Sequence, residues 1–304
     1  MKKERRYNDI IKPIAFLAVF LLMFSFATKS TLQAQTLGDL IEQARSAGIE
    51  QSRIVDLQNR AEARGIGDEE LMNIIRPAIS MAEQNLPHEM IFEKAFEGIS
   101  KRVPVHQIEP VLNSIAESSA RAAQIVDVWV EKPEVGRMLN REGERMDRGT
   151  FRNEMIKASS KGLMQNFDAN VMEETLESVA QSSAMGRARP SGIITAISIL
   201  SDLPSAAQEP TESARIVLRA FEGGFDASDL QKLPGAMNMA QRRSQLPAQA
   251  VAEGLQRQLQ GGLPASQILQ NLFNGKVGGG PPGNVPPGLN RERPGRRGGP
   301  PGSN

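Results

Sequence analysis

Residues 86–112 read LPHEMIFEKAFEGISKRVPVHQIEPVL, and residues 246–272 read LPAQAVAEGLQRQLQGGLPASQILQNL. At a constant offset of 160, Leu86, Pro87, Glu93, Pro104, Gln107, Ile108 and Leu112 each meet the same residue in the second stretch. Both hold a helical run, a short break ending in Pro, and the start of a second run. Ile91, Ala95 and Ile99 fall on one helical face, as do Ile108, Leu112 and Ile115. Pro suits a helix start because its missing N–H would have no partner in the first turn. Leu71, Ile74, Ile75, Ala78 and Ala82 continue the pattern upstream. The one strand-like stretch is 125–130, Ile-Val-Asp-Val-Trp-Val, and a single strand has nothing to pair with. The chain is predicted to be all-α.

Working outward, the break between runs recurs. Ile49, Ile66, Val103, Phe225 and Leu263 each stand about five positions before the next apolar residue of a helical run, and Gly48, Gly65, Gly224 and Gly262 precede four of them. Such a Gly takes the left-handed position just past a helix, and the following apolar residue folds back onto the last turn. Pro or Asp then opens the next helix. Leu86-Pro87 and Leu246-Pro247 mark the same break without Gly. Helix plus turn takes 17 to 21 residues, so a hairpin of about 37 residues is the expected unit, a length typical of helical-hairpin repeats. The sequence resembles helical-repeat proteins in general, and the aromatic positions of tetratricopeptide repeats are absent. The expected architecture is an array of short antiparallel helices in two blocks, 36–130 and 151–274, with a charged hinge at 131–150. In that hinge five acids balance five bases, which implies a solvated segment. Ile193, Ile194, Ala196, Ile197, Ile199 and Leu200 cover nearly every face of one short helix, predicted to be the most buried of its block.

The two ends are unlike the body. Residues 1–34 carry Lys2, Lys3, Arg5, Arg6 and Lys12 ahead of a charge-free apolar run at 14–27, and Leu32-Gln33-Ala34 suits cleavage after Ala34. That pattern is a signal peptide, and the run is short for a bilayer span of about 20 residues. The protein is expected to be exported, periplasmic or secreted. At 275–304, ten Gly and seven Pro leave too little apolar side chain to offset the entropy of ordering, which predicts a disordered tail. The formal charge of +1 conceals this division: both ends are basic, and the body between them is acidic.

Composition excludes several chemistries. Without Cys there is no disulfide, zinc thiolate, iron–sulfur cluster or thiol nucleophile. His88-Glu89 begins like a zinc-protease helix, but the second His would stand at Phe92. His88 and His106 therefore read as surface residues of first helical turns. No metal ligand, cofactor-binding residue or catalytic constellation is identified, so no cofactor is expected. Trp129, the one Trp, reads as a plug between the blocks; exposed, it would be a binding anchor.

One string invites comparison with an enzyme family. Ala158-Ser159-Ser160-Lys161-Gly162-Leu163-Met164-Gln165 resembles the Gly-Leu-Met-Gln motif of lytic transglycosylases, exported helical enzymes that cleave peptidoglycan with one glutamate. The resemblance would give that role to Glu144, 18 residues before Gly162. The pattern departs from the family in that Arg145, not Ser, follows Glu144, and the one Tyr is Tyr7 in the expected signal. Gly162-Leu163 otherwise reads as a helix terminator. Arg291, Arg293, Arg296 and Arg297 in the tail are candidate polyanion contacts, for anionic lipid, lipopolysaccharide or wall polymer. With no aromatic interleaved, nucleic acid is not expected. The leading expectation is a non-enzymatic envelope scaffold or adaptor with a protein partner. The alternatives are the peptidoglycan-cleaving enzyme and polyanion binding through the tail.

Overall fold

The computed structural model describes residues 36–141, 145–204 and 209–277. Among them the chain is all-α, with thirteen α-helices, two short 3-10 turns and no strand. The helices are α1 (Leu37–Ser46), α2 (Gln51–Glu62), α3 (Asp68–Glu83), α4 (Glu89–Ser100), α5 (Val105–Val130), α6 (Pro133–Leu139) and α7 (Arg148–Met164). They continue as α8 (Ala169–Gln181), α9 (Pro190–Ser198), α10 (Pro210–Glu222), α11 (Ala227–Ser244), α12 (Ala248–Gln260) and α13 (Ala265–Phe273), with 3-10 turns at Ser183–Gly186 and Leu200–Asp202.

Glycine and its substitutes close these helices as the sequence predicts. Gly48, Gly65, Gly224 and Gly262 have φ of 89°, 70°, 85° and 69°. The backbone bonds are those of a Schellman motif: Ile49 N–H reaches Ala44 O at 3.0 Å while Gly48 N–H reaches Arg45 O at 3.0 Å. Ile66, Phe225 and Leu263 make the same return bond, to Ala61, Ala220 and Gln258. Where Gly is missing, another residue takes the left-handed conformation: Asn85 (φ 53°), Arg102 (58°), Asn166 (62°) and Gln245 (58°). The apolar residue that follows is driven inward, and Ile49, Leu86, Phe167 and Phe225 are buried. Each such burial is worth about 1.5–3 kcal/mol, so the turn and the core support one another.

The helices pack at a regular interval. α1 lies on α3, α3 on α5, α5 on α7, α7 on α9, α9 on α11 and α11 on α13; a second series runs α2 on α4, α6 on α8, α8 on α10 and α10 on α12. Side-chain bonds between these partners link residues 40 to 44 positions apart. Gln43 Nε2 donates to Glu83 Oε1 at 2.9 Å, Arg60 Nη1 to Ser100 Oγ at 3.4 Å, Ser182 Oγ to Glu222 Oε1 at 3.0 Å and Gln256 Nε2 to Glu212 Oε1 at 2.6 Å. One cluster of buried apolar side chains runs from Leu40 to Val277. No residue of α9 is exposed, which agrees with its apolar sequence.

The strand-like 125–130 is helical, in line with the all-α expectation: it forms the last turns of α5, with Val126, Trp129 and Val130 buried and Val128 72% exposed, a helical spacing. Three expectations are corrected. The charged segment 131–150 is not purely a solvated hinge. It contains α6, whose Val135, Met138 and Leu139 are buried, because its charges occupy one face only. Gly162 does not terminate α7; it lies inside the helix, where a Cβ would stand 3.0 Å from Met172 Cε, and Asn166 is the left-handed residue. Gly275, Lys276 and Val277 belong to the folded body rather than the tail. Lys276 N–H reaches Asn271 O at 2.8 Å, and Val277 is buried over Gly254, where a Cβ would collide with it.

Candidate functional site

Several long-range side-chain bonds gather where α5, α6, α7 and α8 meet. Trp129 is 3% exposed, its Nε1–H donates to Leu176 O at 2.6 Å, and its ring centroid lies 6.1 Å from that of Phe151. Trp129 is thus a plug in this joint rather than an exposed anchor. Beside it Arg152 holds Asp127 through two bonds of 2.5 and 3.0 Å and donates to Asn85 O at 2.8 Å, tying α7, α5 and the end of α3 together. A bidentate guanidinium–carboxylate pair fixes both partners' orientation. Lys132 bonds Glu177 at 2.7 Å and Arg148 bonds Glu131 at 2.6 Å across the same region. Arg152 carries no signal in the sequence that distinguishes it from other surface arginines.

A depression of about 700 Å³ opens between α6, the end of α8 and the first 3-10 turn. Its charges are already engaged with one another: Lys132 with Glu177, Arg137 with Glu134 at 2.8 Å, and Arg141 with Ala188 O at 3.2 Å. A second groove of about 440 Å³ lies between the starts of α9 and α11, floored by Phe221 and Phe225 and rimmed by Arg187 and Arg189. Arg187 is bound there to Glu222 O, and Asp226 caps α11 by accepting from Asp229 N–H at 2.8 Å. A third, of about 500 Å³, separates the α2–α3 link from the α4–α5 link and is rimmed by Arg64, Arg102 and His106.

The four carboxylates with displaced pKa, Asp39, Glu97, Asp147 and Glu177, are all lowered. Glu97 falls to about 2 because Lys101 and then Lys94 hydrogen-bond its charged form. Asp39 and Asp147 are held down by the Thr36 and Thr150 hydroxyls they accept from. These shifts stabilise carboxylate anions at helix starts and in ion pairs, the opposite of what a general acid requires. Among the described residues no group of three or more His, Asp or Glu could hold a metal ion, and no helix is long and apolar enough to cross a membrane.

The string 158–165 forms the end of α7, with Ser159 and Ser160 fully buried and Gly162 against Met172. His88 is a half-buried N-cap of α4, and His106 is exposed in the first turn of α5. Glu144, the four tail arginines Arg291, Arg293, Arg296 and Arg297, and the signal at 1–34 lie outside the described residues. Comparison with protein-family models, with curated proteins and with solved structures gives no match for this chain.

Proposed function

We propose that the protein is an exported, non-enzymatic scaffold or adaptor of the cell envelope, built as an array of antiparallel helical hairpins. The observation that carries this reading is the packing of helices on the one two places along, at every step except α4 to α6, with bonds linking residues about 40 apart. A single hairpin cannot bury its apolar face; stacking hairpins can, and it leaves an extended surface for partners. The α2–α5 run parallels α10–α13 at the offset of 160: helices at 51–62, 68–83, 89–100 and from 105 answer to 210–222, 227–244, 248–260 and from 265. Asn85 and Gln245, and likewise Arg102 and Gly262, are left-handed at matching positions.

The joint between the two blocks of this array falls at α5 and α7. Asp127–Arg152 and Trp129–Phe151 bring the end of α5 to the start of α7, so that α7 returns along α5. Polar residues close the array at both ends. Asp39, Glu42 and Arg45 face outward on α1, and Ser266, Gln267 and Gln270 on α13, as terminal repeats require.

Cross-linking in cells followed by envelope fractionation tests the proposal. Expected are a mature chain beginning at Gln35 and a discrete protein adduct. A cytoplasmic chain that keeps Met1 would remove the export reading. Clearing of purified peptidoglycan that disappears in Glu144→Gln would replace the adaptor with the wall-cleaving enzyme.

A further inference from the structure

We infer that the groove between the α2–α3 link and the α4–α5 link docks a short extended segment of a partner protein that carries both acidic and apolar side chains. The proposal rests on the adaptor reading and gives it a site. The floor is apolar, with Ile66 and Val103 half-buried, and the opening of about 500 Å³ faces solvent. Neighbouring helix axes stand roughly 8–10 Å apart, which about three extended residues span at roughly 3.3 Å each.

The rim is cationic against the local trend. Residues 36–141 hold 17 acids and 12 bases, yet two of those bases, Arg64 and Arg102, line this groove with one carboxylate, Glu70, and His106 adds a polar ring. The Glu70 carboxylate is engaged, accepting the Gly67 N–H at 3.2 Å to cap α3. Asp68 and Glu69 follow Gly67 in that same first turn but do not line the groove. Arg64, Arg102 and His106 are exposed and make no side-chain hydrogen bond or ion pair among the described residues. In the groove between α9 and α11, by contrast, Arg187 is already bound to Glu222 O. Guanidinium groups pair bidentately with carboxylates, and the apolar floor favours a ligand that also presents an aliphatic side chain.

Arg102 adds an independent argument. It sits at φ 58°, and the matching position at the offset of 160 is Gly262, at φ 69°. A left-handed non-glycine residue is disfavoured sterically, so glycine would serve the turn better. The guanidinium is the feature gained by placing Arg there, and it projects from the rim of the groove.

The test uses the full chain and a fluorescein-labelled octapeptide of alternating Glu and Leu, followed by anisotropy at low salt. Arg102→Gly combined with Arg64→Gln should weaken binding at least about tenfold, while Arg102→Gly alone raises the melting temperature. A matching octapeptide with Gln for Glu should bind no better to the wild type than the Glu peptide binds to the double variant. The tail arginines are present in both proteins, so the difference reads the groove alone. Equal affinity in wild type and double variant, or no binding to wild type, overturns the inference. So does displacement of the peptide by inorganic phosphate at equal concentration, which would mark a simple anion site. None of these outcomes bears on the envelope adduct, which stands or fails by cross-linking.

Discussion

At the level of single residues, left-handed link positions decide where nine of the thirteen described helices stop. Gly48, Gly65, Gly224 and Gly262 are legible because glycine alone adopts positive φ without a steric penalty. Asn166 followed by Phe167 forms the same turn between α7 and α8 but carries no glycine, so the Gly-apolar signal is missing there. Gln245, like Arg102, sets backbone against side chain, since neither residue has the small size of Gly or the local hydrogen bonding of Asn. Gln245→Gly should therefore stabilise the protein by about 1 kcal/mol in urea unfolding, while Gly224→Ala should destabilise it by about as much. Equal midpoints for both variants would contradict this account of the links.

At the element scale, α5 and α7 form a seam of small residues. Ser118, Ser119, Ala122 and Ala123 are buried on one helix, and Ala158, Ser159 and Ser160 on the other. The hydroxyls of Ser119 and Ser159 are buried without a hydrogen-bond partner. A buried orphan hydroxyl costs about 1–3 kcal/mol, and Ala is the better helix former. Ser119→Ala and Ser159→Ala are each expected to raise the urea midpoint by the equivalent of about 1 kcal/mol; a drop in either would show that the hydroxyl has a partner. On α4 the exposed triad of Lys94, Glu97 and Lys101 has a different signature. Because the folded pKa of Glu97 is lowered, its contribution is present above the unfolded value near 4.5 and lost as pH falls through about 2. NMR titration of the Glu97 carboxyl carbon should give a midpoint well below 4.5. Lys101→Ala should move it up, and salt should do the same, since the group is exposed.

For the whole molecule, the question is what holds α5, α7 and α8 together at the middle of the chain. Trp129 fills the space between α5, α7 and α8 and satisfies its N–H on Leu176 O. Its fluorescence should be blue-shifted and should move to the red in one transition as the seam opens. Trp129→Ala should lower stability by about 3–5 kcal/mol by circular dichroism; a loss below about 1 kcal/mol would mean these helices are held by other contacts. Arg152 belongs to the same joint, and nothing in its neighbourhood in sequence indicates that Asn85, 67 residues away, is its acceptor.

The sequence by itself determined the helical class, the positions of most helix ends and the faces that turn inward. These depend on local backbone sterics and on a 3.6-residue period that a linear string displays. The run 125–130 alternates on paper, but with no second strand to pair it continues α5, as the all-α reading requires, and buries Trp129 against Phe151. The corrected segments are those where local pattern and tertiary packing diverge. The charges of 131–141 conceal Val135, Met138 and Leu139, which become core only because α8 lies against them. Val277 looked like tail and is held by the absence of a side chain at Gly254. The groove of Arg64, Arg102 and His106 exists only in three dimensions, because its rim comes from links about 40 residues apart that stacking places side by side. Proximity across the stack is a property of how the helices share one core, and that is what the tertiary structure alone decided.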